Sequence, residues 1–185
     1  MRRRGGTWMQ RWRVPLGFLS AILFFWLARP DARSLIAGGL IALVGVGIRA
    51  WASGHIRKND ALAISGPYAY TRNPLYLGSF VLGFGFSVAS GNLWLWLLFA
   101  ALFLGIYWPV MRVEAETLAG LFGTDYANYA RAVPLFLPRL TPYRGGTAEK
   151  IKFDLQLYLR YREYRATVGL LLAWGVLALK AFLAR

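Results

Sequence analysis

The residues most able to do chemistry lie in a polar stretch that runs directly into an apolar segment, residues 62–82. Gly66 and Pro67 predict a turn, because glycine frees the backbone and proline fixes it. Arg72 follows, and Pro74 suits the first turn of a helix, where no N–H donor is needed. The unpaired N–H groups of that helix start would face the polar stretch, which favours an anionic ligand group such as a carboxylate or phosphate.

A second group of charged residues, Arg112, Glu114 and Glu116, follows a later apolar segment. The connection at residues 90–92 is so short that the two segments around it are predicted to form an antiparallel helix hairpin. Asn73 and Glu114 should therefore lie at the same membrane depth. An anionic group at the helix start and a cationic group at Glu114 would together suit a zwitterionic amino-acid moiety.

The composition indicates that these residues are held in a membrane. The chain has 185 residues, of which 57% are hydrophobic, and it carries a net charge of +14. A nucleic-acid-binding protein would share the charge but not the long apolar runs, so anionic phospholipid headgroups are the expected partners and nucleic acid is not. The absence of cysteine and the single histidine exclude thiolate chemistry and cysteine-based metal sites, and no metal site is predicted.

Hydropathy predicts an all-α, polytopic integral membrane protein that forms one domain over residues 1–185. The five apolar segments are 14–28, 34–52, 75–89, 93–110 and 167–183. If the N-terminus is cytoplasmic, the cytoplasmic pieces hold 17 of the 22 lysines and arginines, and the outer pieces hold four. This bias favours a cytoplasmic N-terminus. The basic start is interpreted as leading into a retained first span, because no small-residue cleavage site follows it.

The largest polar piece is predicted to be mainly helical. A helix over residues 112–122 should turn at 123–125, continue, and end at Val133-Pro134. After a hinge at Gly145-Gly146, residues 149–165 fit both a strand and a helical pattern. We favour an interfacial amphipathic helix, because a lone strand would leave its backbone unpaired. This helix and the fifth span make up an extension over about 147–185, beyond a core at about 53–140.

Three expectations concern single residues within the spans. Ser79, Gly83 and Ser87 lie four residues apart, a spacing that lets a neighbouring helix approach closely. Arg49 lies near the end of the second span and is expected to extend its charge to the membrane surface. Pro109 is expected to kink the fourth span near its end.

As a linked set, these pieces resemble the isoprenylcysteine carboxyl methyltransferase family, whose wider group includes the membrane phospholipid methyltransferases. The resemblance covers about residues 60–140. The matching pieces are Ser65-Gly66-Pro67-Tyr68, Arg72-Asn73-Pro74-Leu75-Tyr76-Leu77-Gly78, Glu114, Phe122-Gly123-Thr124-Asp125-Tyr126, Tyr129 and Val133-Pro134.

The resemblance implies an integral membrane enzyme that uses S-adenosylmethionine and takes a lipid-like substrate from the bilayer. Carried over by position, the cofactor-binding residues would be Asp60, Ala61, Leu62, Ala63, Tyr68, Asn73, Pro74, Leu75, Tyr76 and Glu114. Methyl transfer needs mainly the positioning of two reactants and the exclusion of water. The scarcity of histidine and cysteine is therefore no obstacle to this chemistry.

The chain departs from the family pattern at several positions. Asn73 stands where the family has histidine, so it can hydrogen-bond but cannot titrate, and Ala115 stands where the family has a second glutamate. The family's substrate-contacting arginine corresponds strictly to Val110, and Arg112 is the nearest arginine, about 200° further round a helix. We assign predicted catalytic roles to Arg112, toward the substrate, and to Glu116, which could help an amine lose its proton.

Three functions follow from these observations. The leading prediction is an S-adenosylmethionine-dependent methyltransferase that acts on a lipidic carboxylate or amine at the cytoplasmic face. An NADPH-dependent membrane lipid reductase is the alternative, because sterol reductases carry a similar stretch, and a non-catalytic membrane scaffold is the third. The residue usage is typical of a bacterial protein, which predicts the inner membrane as its location.

Overall fold

The computed structural model describes residues 8–56, 61–145 and 152–184. In these ranges every regular element is helical, as the sequence predicts. The helices are α1 (Trp8–Leu27), α2 (Ala32–Ser53), α3 (Pro74–Ala89), α4 (Leu93–Leu102), α5 (Trp108–Ala132), α6 (Leu155–Arg160) and α7 (Tyr164–Leu183). A 3₁₀ turn over Gly66–Ala69 precedes α3, and a π-helical stretch over Phe103–Tyr107 joins α4 to α5.

The helices have the lengths and composition of a polytopic membrane protein. Three helical runs are long and apolar enough to cross a bilayer: Ala32–Ser53, Leu93–Ala132 and Tyr164–Leu183. Two shorter apolar helices, Gly17–Leu27 and Pro74–Ala89, accompany them. The five apolar segments predicted from hydropathy therefore all form helices.

Helices α2 and α3 pack backbone to backbone through glycine. A Cβ atom added to Gly38 in α2 would lie 2.4 Å from the carbonyl oxygen of Gly85 in α3. One added to Gly45 would lie 2.4 Å from the amide nitrogen of Leu82. No side chain fits at either position, so glycine allows the two axes to come close.

The small residues that the sequence singled out lie beside this contact and not in it. Gly83 faces α4, where an added Cβ atom would lie 2.4 Å from the ring of Phe99. The hydroxyl of Ser79 accepts a hydrogen bond from Arg49, and the hydroxyl of Ser87 donates to the carbonyl of Gly83 in its own helix. Small residues in α3 therefore do allow a neighbouring helix to approach, but the closest contact, between α2 and α3, uses a different face of α3 from the one that was predicted.

The turn predicted at residues 123–125 is present as a kink in α5. Gly123 leaves the helical conformation, with φ 50° and ψ −120°, so that two helical stretches meet there, and the second one ends at Ala132. Pro109 follows the π-helical stretch. Proline lacks an N–H, and its ring crowds the carbonyl four residues earlier, which here is that of Gly105, so the wider π turn accommodates it.

The interfacial helix predicted over residues 149–165 is present but much shorter than predicted. Helix α6 has six residues, and it begins at the cap Asp154, whose carboxylate accepts from the amides of Gln156 and Leu157. It stops before Arg162, which has a left-handed φ of 57°. Residues 146–151 lie outside the described residues.

The bundle has two polar ends, which we name by their connections. The short-turn end carries residues 28–31 and 90–92, where the amide of Arg29 donates to the carbonyl of Ser90 at 2.7 Å. The long-loop end carries residues 54–56, 61–73, 112–145 and 152–163. The candidate site lies at the long-loop end.

Candidate functional site

A cavity of about 500 Å³ lies at the long-loop end, among the 61–73 loop, the start of α3 and the middle of α5. Its volume falls within the range of small-molecule sites, roughly 300–1,000 Å³. Eight of the predicted cofactor-binding residues line it: Ala61, Leu62, Ala63, Tyr68, Asn73, Leu75, Tyr76 and Glu114.

The other predicted site residues lie elsewhere. Pro74 is buried at the first position of α3, and Asp60 lies outside the described residues. Arg112 and Glu116 are exposed and do not line the cavity. Each is two positions from Glu114, about 200° round the helix, so they point away from the side that Glu114 faces. The guanidinium of Arg112 lies 5.9 Å from the centre of the Trp108 ring.

A glycine turn brings Tyr68 into the cavity wall. Gly66 has a left-handed φ of 59°, and an added Cβ atom would lie 2.4 Å from the ring of His55. Glycine is therefore required both by the backbone conformation and by the space. The hydroxyl of Tyr129 donates to the Tyr68 carbonyl at 2.7 Å, which ties this turn to α5.

The segment after α5 holds the start of α3. The amide of Arg72 donates to the carbonyl of Pro134 at 2.9 Å. The side-chain nitrogen of Asn73 donates to the carbonyl of Leu135, also at 2.9 Å, and the hydroxyl of Thr71 donates to Phe136 at 2.8 Å. Asn73 therefore anchors the loop through its side-chain amide.

Glu114 and the start of α3 meet in one cavity, as the hairpin geometry predicted. The Glu114 carboxylate accepts a hydrogen bond from the hydroxyl of Tyr76 at 2.9 Å. Because Tyr76 lies in the first turn of α3, this bond links α3 directly to α5. The cavity thus presents a carboxylate close to a helix N-terminus, the two charges that a zwitterionic ligand would need.

Two buried polar atoms in the cavity wall have no hydrogen-bond partner within the described protein: the hydroxyl of Tyr68 and the Nε of Arg72. Burial raises the pKa of the Tyr68 hydroxyl above its ordinary value, so the group stays a neutral donor. Arg72 is held by a 3.1 Å hydrogen bond from its Nη1 to the hydroxyl of Tyr126. Buried polar groups are nearly always paired, so an unpaired hydroxyl and guanidinium N–H indicate space for a ligand acceptor.

The model of the phospholipid methyltransferase family matches residues 35–125, which include the 61–73 loop, α3 and Glu114. A protein-S-isoprenylcysteine O-methyltransferase of Schizosaccharomyces pombe is 32% identical over 81 residues, which are 44% of this chain and 34% of that protein. Over this region the chain resembles the isoprenylcysteine methyltransferase-like family. The resemblance inferred from the sequence is thereby confirmed.

Two bacterial proteins are also similar to this chain. A cobalt-zinc-cadmium resistance protein of Cupriavidus metallidurans is 37% identical over 142 residues, 72% of this chain and 65% of that protein. A nickel-cobalt-cadmium resistance protein of Alcaligenes xylosoxydans xylosoxydans is 35% identical over 110 residues, 58% of this chain and 50% of that protein. The chain therefore spans less than two thirds of either relative. No solved structure matches it.

Sequence reasoning missed part of the cavity wall of this methyltransferase-like protein. Arg49 was expected to extend to the membrane surface, which is wrong: its side chain lines the cavity and pairs with Glu163. Ser79 joins them there. An arginine and a glutamate at the edges of two apolar spans were the available signal, because charges in such places are usually paired or functional.

Helix α5 supplies the rest of the missed wall. Thr117, Leu118, Leu121 and Phe122 face the cavity from the turns after Glu114. Apolar side chains there would exclude water from one side of a ligand. In the described part of the chain, no group of three or more His, Cys, Asp or Glu residues is placed to hold a metal ion.

Proposed function

We propose that this protein is an integral membrane methyltransferase that uses S-adenosylmethionine to methylate a lipidic carboxylate or amine. The match of residues 35–125 to the phospholipid methyltransferase model supports methyl transfer, and the cavity at the long-loop end supports a small zwitterionic ligand. The observation that carries the proposal is the pair of unpartnered buried donors, Tyr68 and Arg72, in the same wall as Glu114.

The residues present fit S-adenosylmethionine. Glu114 would hold the ammonium group, and Arg72 would hold the carboxylate together with the start of α3. The hydroxyl of Tyr68 can donate a further hydrogen bond, and the faces of Tyr68 and Tyr76 favour a positive sulfonium. When bound, the cofactor supplies a methyl carbon that its sulfonium has already activated.

The chain's own part in the reaction would be to align the acceptor and to keep water out. A carboxylate acceptor needs no general base. An amine must first lose a proton, and a tyrosine of the cavity or Glu116 would assist. Because Glu116 and Arg112 do not line the cavity, their predicted catalytic roles require an acceptor that approaches from outside it.

The same proposal includes an orientation and a source for the acceptor. The excess of lysine and arginine on one side supports a cytoplasmic N-terminus, which puts the long-loop end at the cytoplasmic face of a bacterial inner membrane. The lipid-like substrate would enter from the bilayer, and anionic headgroups would meet the basic residues of this end.

Calorimetry on the purified protein with S-adenosylhomocysteine, the demethylated cofactor, tests the proposal. We expect measurable binding that weakens about tenfold or more in Glu114→Ala, because hydrogen bonds to charged groups contribute about 1.5–3 kcal/mol. Arg29→Ala is the control, because Arg29 is exposed at the short-turn end. No affinity in the wild type, or equal losses in both variants, would contradict the proposal, and a response to NADPH alone would favour a reductase.

The names of two relatives suggest a second candidate function, a contribution to heavy-metal resistance. We propose that such a contribution depends on the same cavity. A metal-sensitive bacterium that expresses the wild type should then grow better in cobalt or cadmium than one that expresses Glu114→Ala at the same level. Equal growth of the two strains would show that resistance does not depend on the cavity.

A further inference from the structure

An ion pair joins the last described span to the cavity wall. Two guanidinium nitrogens of Arg49 in α2, Nε and Nη2, donate hydrogen bonds to the Glu163 carboxylate over 2.7–3.1 Å. Nη1 of the same guanidinium donates to the hydroxyl of Ser79 in α3. The side chains are 24% and 14% exposed for Arg49 and Glu163, respectively, so most of the pair is removed from water. One arginine thus connects three helices.

The segment before Glu163 is attached to α2 at a second point. The amide of Asp154 donates to the carbonyl of Gly54 at 2.9 Å. The ring of Phe153 lies so close that a Cβ atom added to Gly54 would be 2.4 Å from it, and the same ring lies 6.1 Å from that of His55. We call residues 152–163 the strap. It runs from the end of α2 to the start of α7.

The strap reaches the cavity through Glu163. Both Glu163 and Arg49 line the cavity that holds Tyr68 and Glu114. The strap also lies outside residues 35–125, the part that matches the family model. The cavity wall is therefore completed by a segment outside the residues that match the family model.

We propose that the Arg49–Glu163 pair is a latch that positions the strap as one wall of the cofactor cavity. This inference rests on the proposed function. Removing the Glu163 charge leaves a mostly buried guanidinium without its carboxylate, and such a charge moves toward water. The strap would then separate from α2 at that point and open the cavity. Glu163 and Arg49 are thus positioning residues, which act on the ligand through the wall that they hold.

The cysteine-free sequence allows a direct test in lipid nanodiscs. A single Leu75→Cys substitution places a thiol in the cavity wall, and its rate of labelling by a water-soluble maleimide reports access to the cavity. Adding Glu163→Gln should speed the labelling about tenfold and weaken S-adenosylhomocysteine binding about tenfold, as expected for residues coupled in one salt-bridge network. Asp125→Asn also replaces a carboxylate by an amide, but at an exposed position, and it should change neither the labelling rate nor the affinity.

A double variant with Arg49→Glu and Glu163→Arg should restore slow labelling and binding, because it restores the pair. A purely structural role for Glu163 would lower thermal stability but leave labelling and affinity like those of Asp125→Asn, and that result would overturn the latch. If Glu163→Gln does not fold, the charge-swapped double variant gives the test: if it folds but its cavity thiol is still labelled rapidly, the latch proposal is overturned as well. A wild type without affinity for S-adenosylhomocysteine would refute the proposed function, while the labelling rates would still decide the latch.

Discussion

The two polar ends of the bundle use similar residues in different ways. At the short-turn end, polar side chains satisfy the backbone of the chain itself. Asn92 accepts from the amide of Trp94 and donates to the carbonyl of Leu27, both at 3.0 Å. Asp31 and Ser34 form a reciprocal capping box at the start of α2.

At the long-loop end the polar groups are incompletely paired. Among the described residues, the two buried side-chain atoms without a partner, in Tyr68 and Arg72, both lie there. The difference shows that a polar residue at a helix end does not by itself indicate function, because most such residues complete a turn or a cap. The unpaired groups indicate the site, because leaving a buried donor unpaired costs about 1–3 kcal/mol.

The comparison predicts that damage at the short-turn end affects folding alone, most strongly at Gly91. This residue has φ 60°, and an added Cβ atom would lie 2.4 Å from the carbonyl oxygen of Arg29. We expect Gly91→Val to destabilise the protein by about 3 kcal/mol or more, from backbone strain and a steric clash together. Thermal unfolding in mild detergent measures the loss. If the remaining folded protein bound S-adenosylhomocysteine more weakly than the wild type, the prediction that the short-turn end affects folding alone would be wrong.

A matched pair of asparagines sharpens the comparison. Asn92→Ala removes a helix cap and should reduce stability by about 1–2 kcal/mol without changing ligand affinity. Asn73→Ala removes one hydrogen bond to Leu135 at the cavity, so it should reduce stability by about 1 kcal/mol and also weaken S-adenosylhomocysteine binding. Unfolding and calorimetry on both variants give the two quantities. Equal effects of the two substitutions on ligand affinity would contradict the predicted difference between the two ends.

Tyr68→Phe should separate stability from binding at the cavity. The change removes a buried hydroxyl that has no partner, so the ligand-free protein should be as stable as the wild type or up to about 1 kcal/mol more stable. The affinity for S-adenosylhomocysteine should fall about tenfold, because the hydroxyl is then missing from the wall. A loss of stability with no loss of affinity would show that Tyr68 serves the fold and not a ligand.

The smallest expected effect is a pH dependence at the short-turn end. A hydrogen bond from the Ser34 amide lowers the pKa of the Asp31 carboxyl below its usual value of 3.8. Since the folded pKa is the lower one, the stabilisation is present above the usual pKa and is lost as the pH falls through the folded pKa. Thermal midpoints measured from pH 6 to pH 3 should therefore fall slightly more for the wild type than for Asp31→Asn, which keeps a capping residue but does not titrate.

Much of the fold follows from local patterns. The five apolar segments, of 15–19 residues each, appear as helices because a helix satisfies every backbone hydrogen bond within the segment itself, as the interior of a bilayer requires. The turn at Gly91 and the helix start at Pro74 depend on backbone rules that act within a few residues. The length of α6 was not predictable, because residues 149–165 fit both periodicities.

The candidate site was predictable in part. The shared depth of Asn73 and Glu114 followed from a three-residue connection between two spans. The bond from Asn73 to Leu135 and the contribution of α5 past Glu114 were not visible, because they depend on how the segment after α5 folds back onto the start of α3.

The sequence by itself determined the membrane helices, the polar loop and the family resemblance, because hydropathy, turn residues and motif spacing are properties of neighbouring residues. Only the tertiary structure decided which polar groups are paired and which face an open cavity. Arg49 and Glu163 are 114 positions apart, and nothing near either residue identifies the other as its partner. Their pairing depends on how α2, α3 and α7 pack, and that packing is set by contacts along their whole lengths.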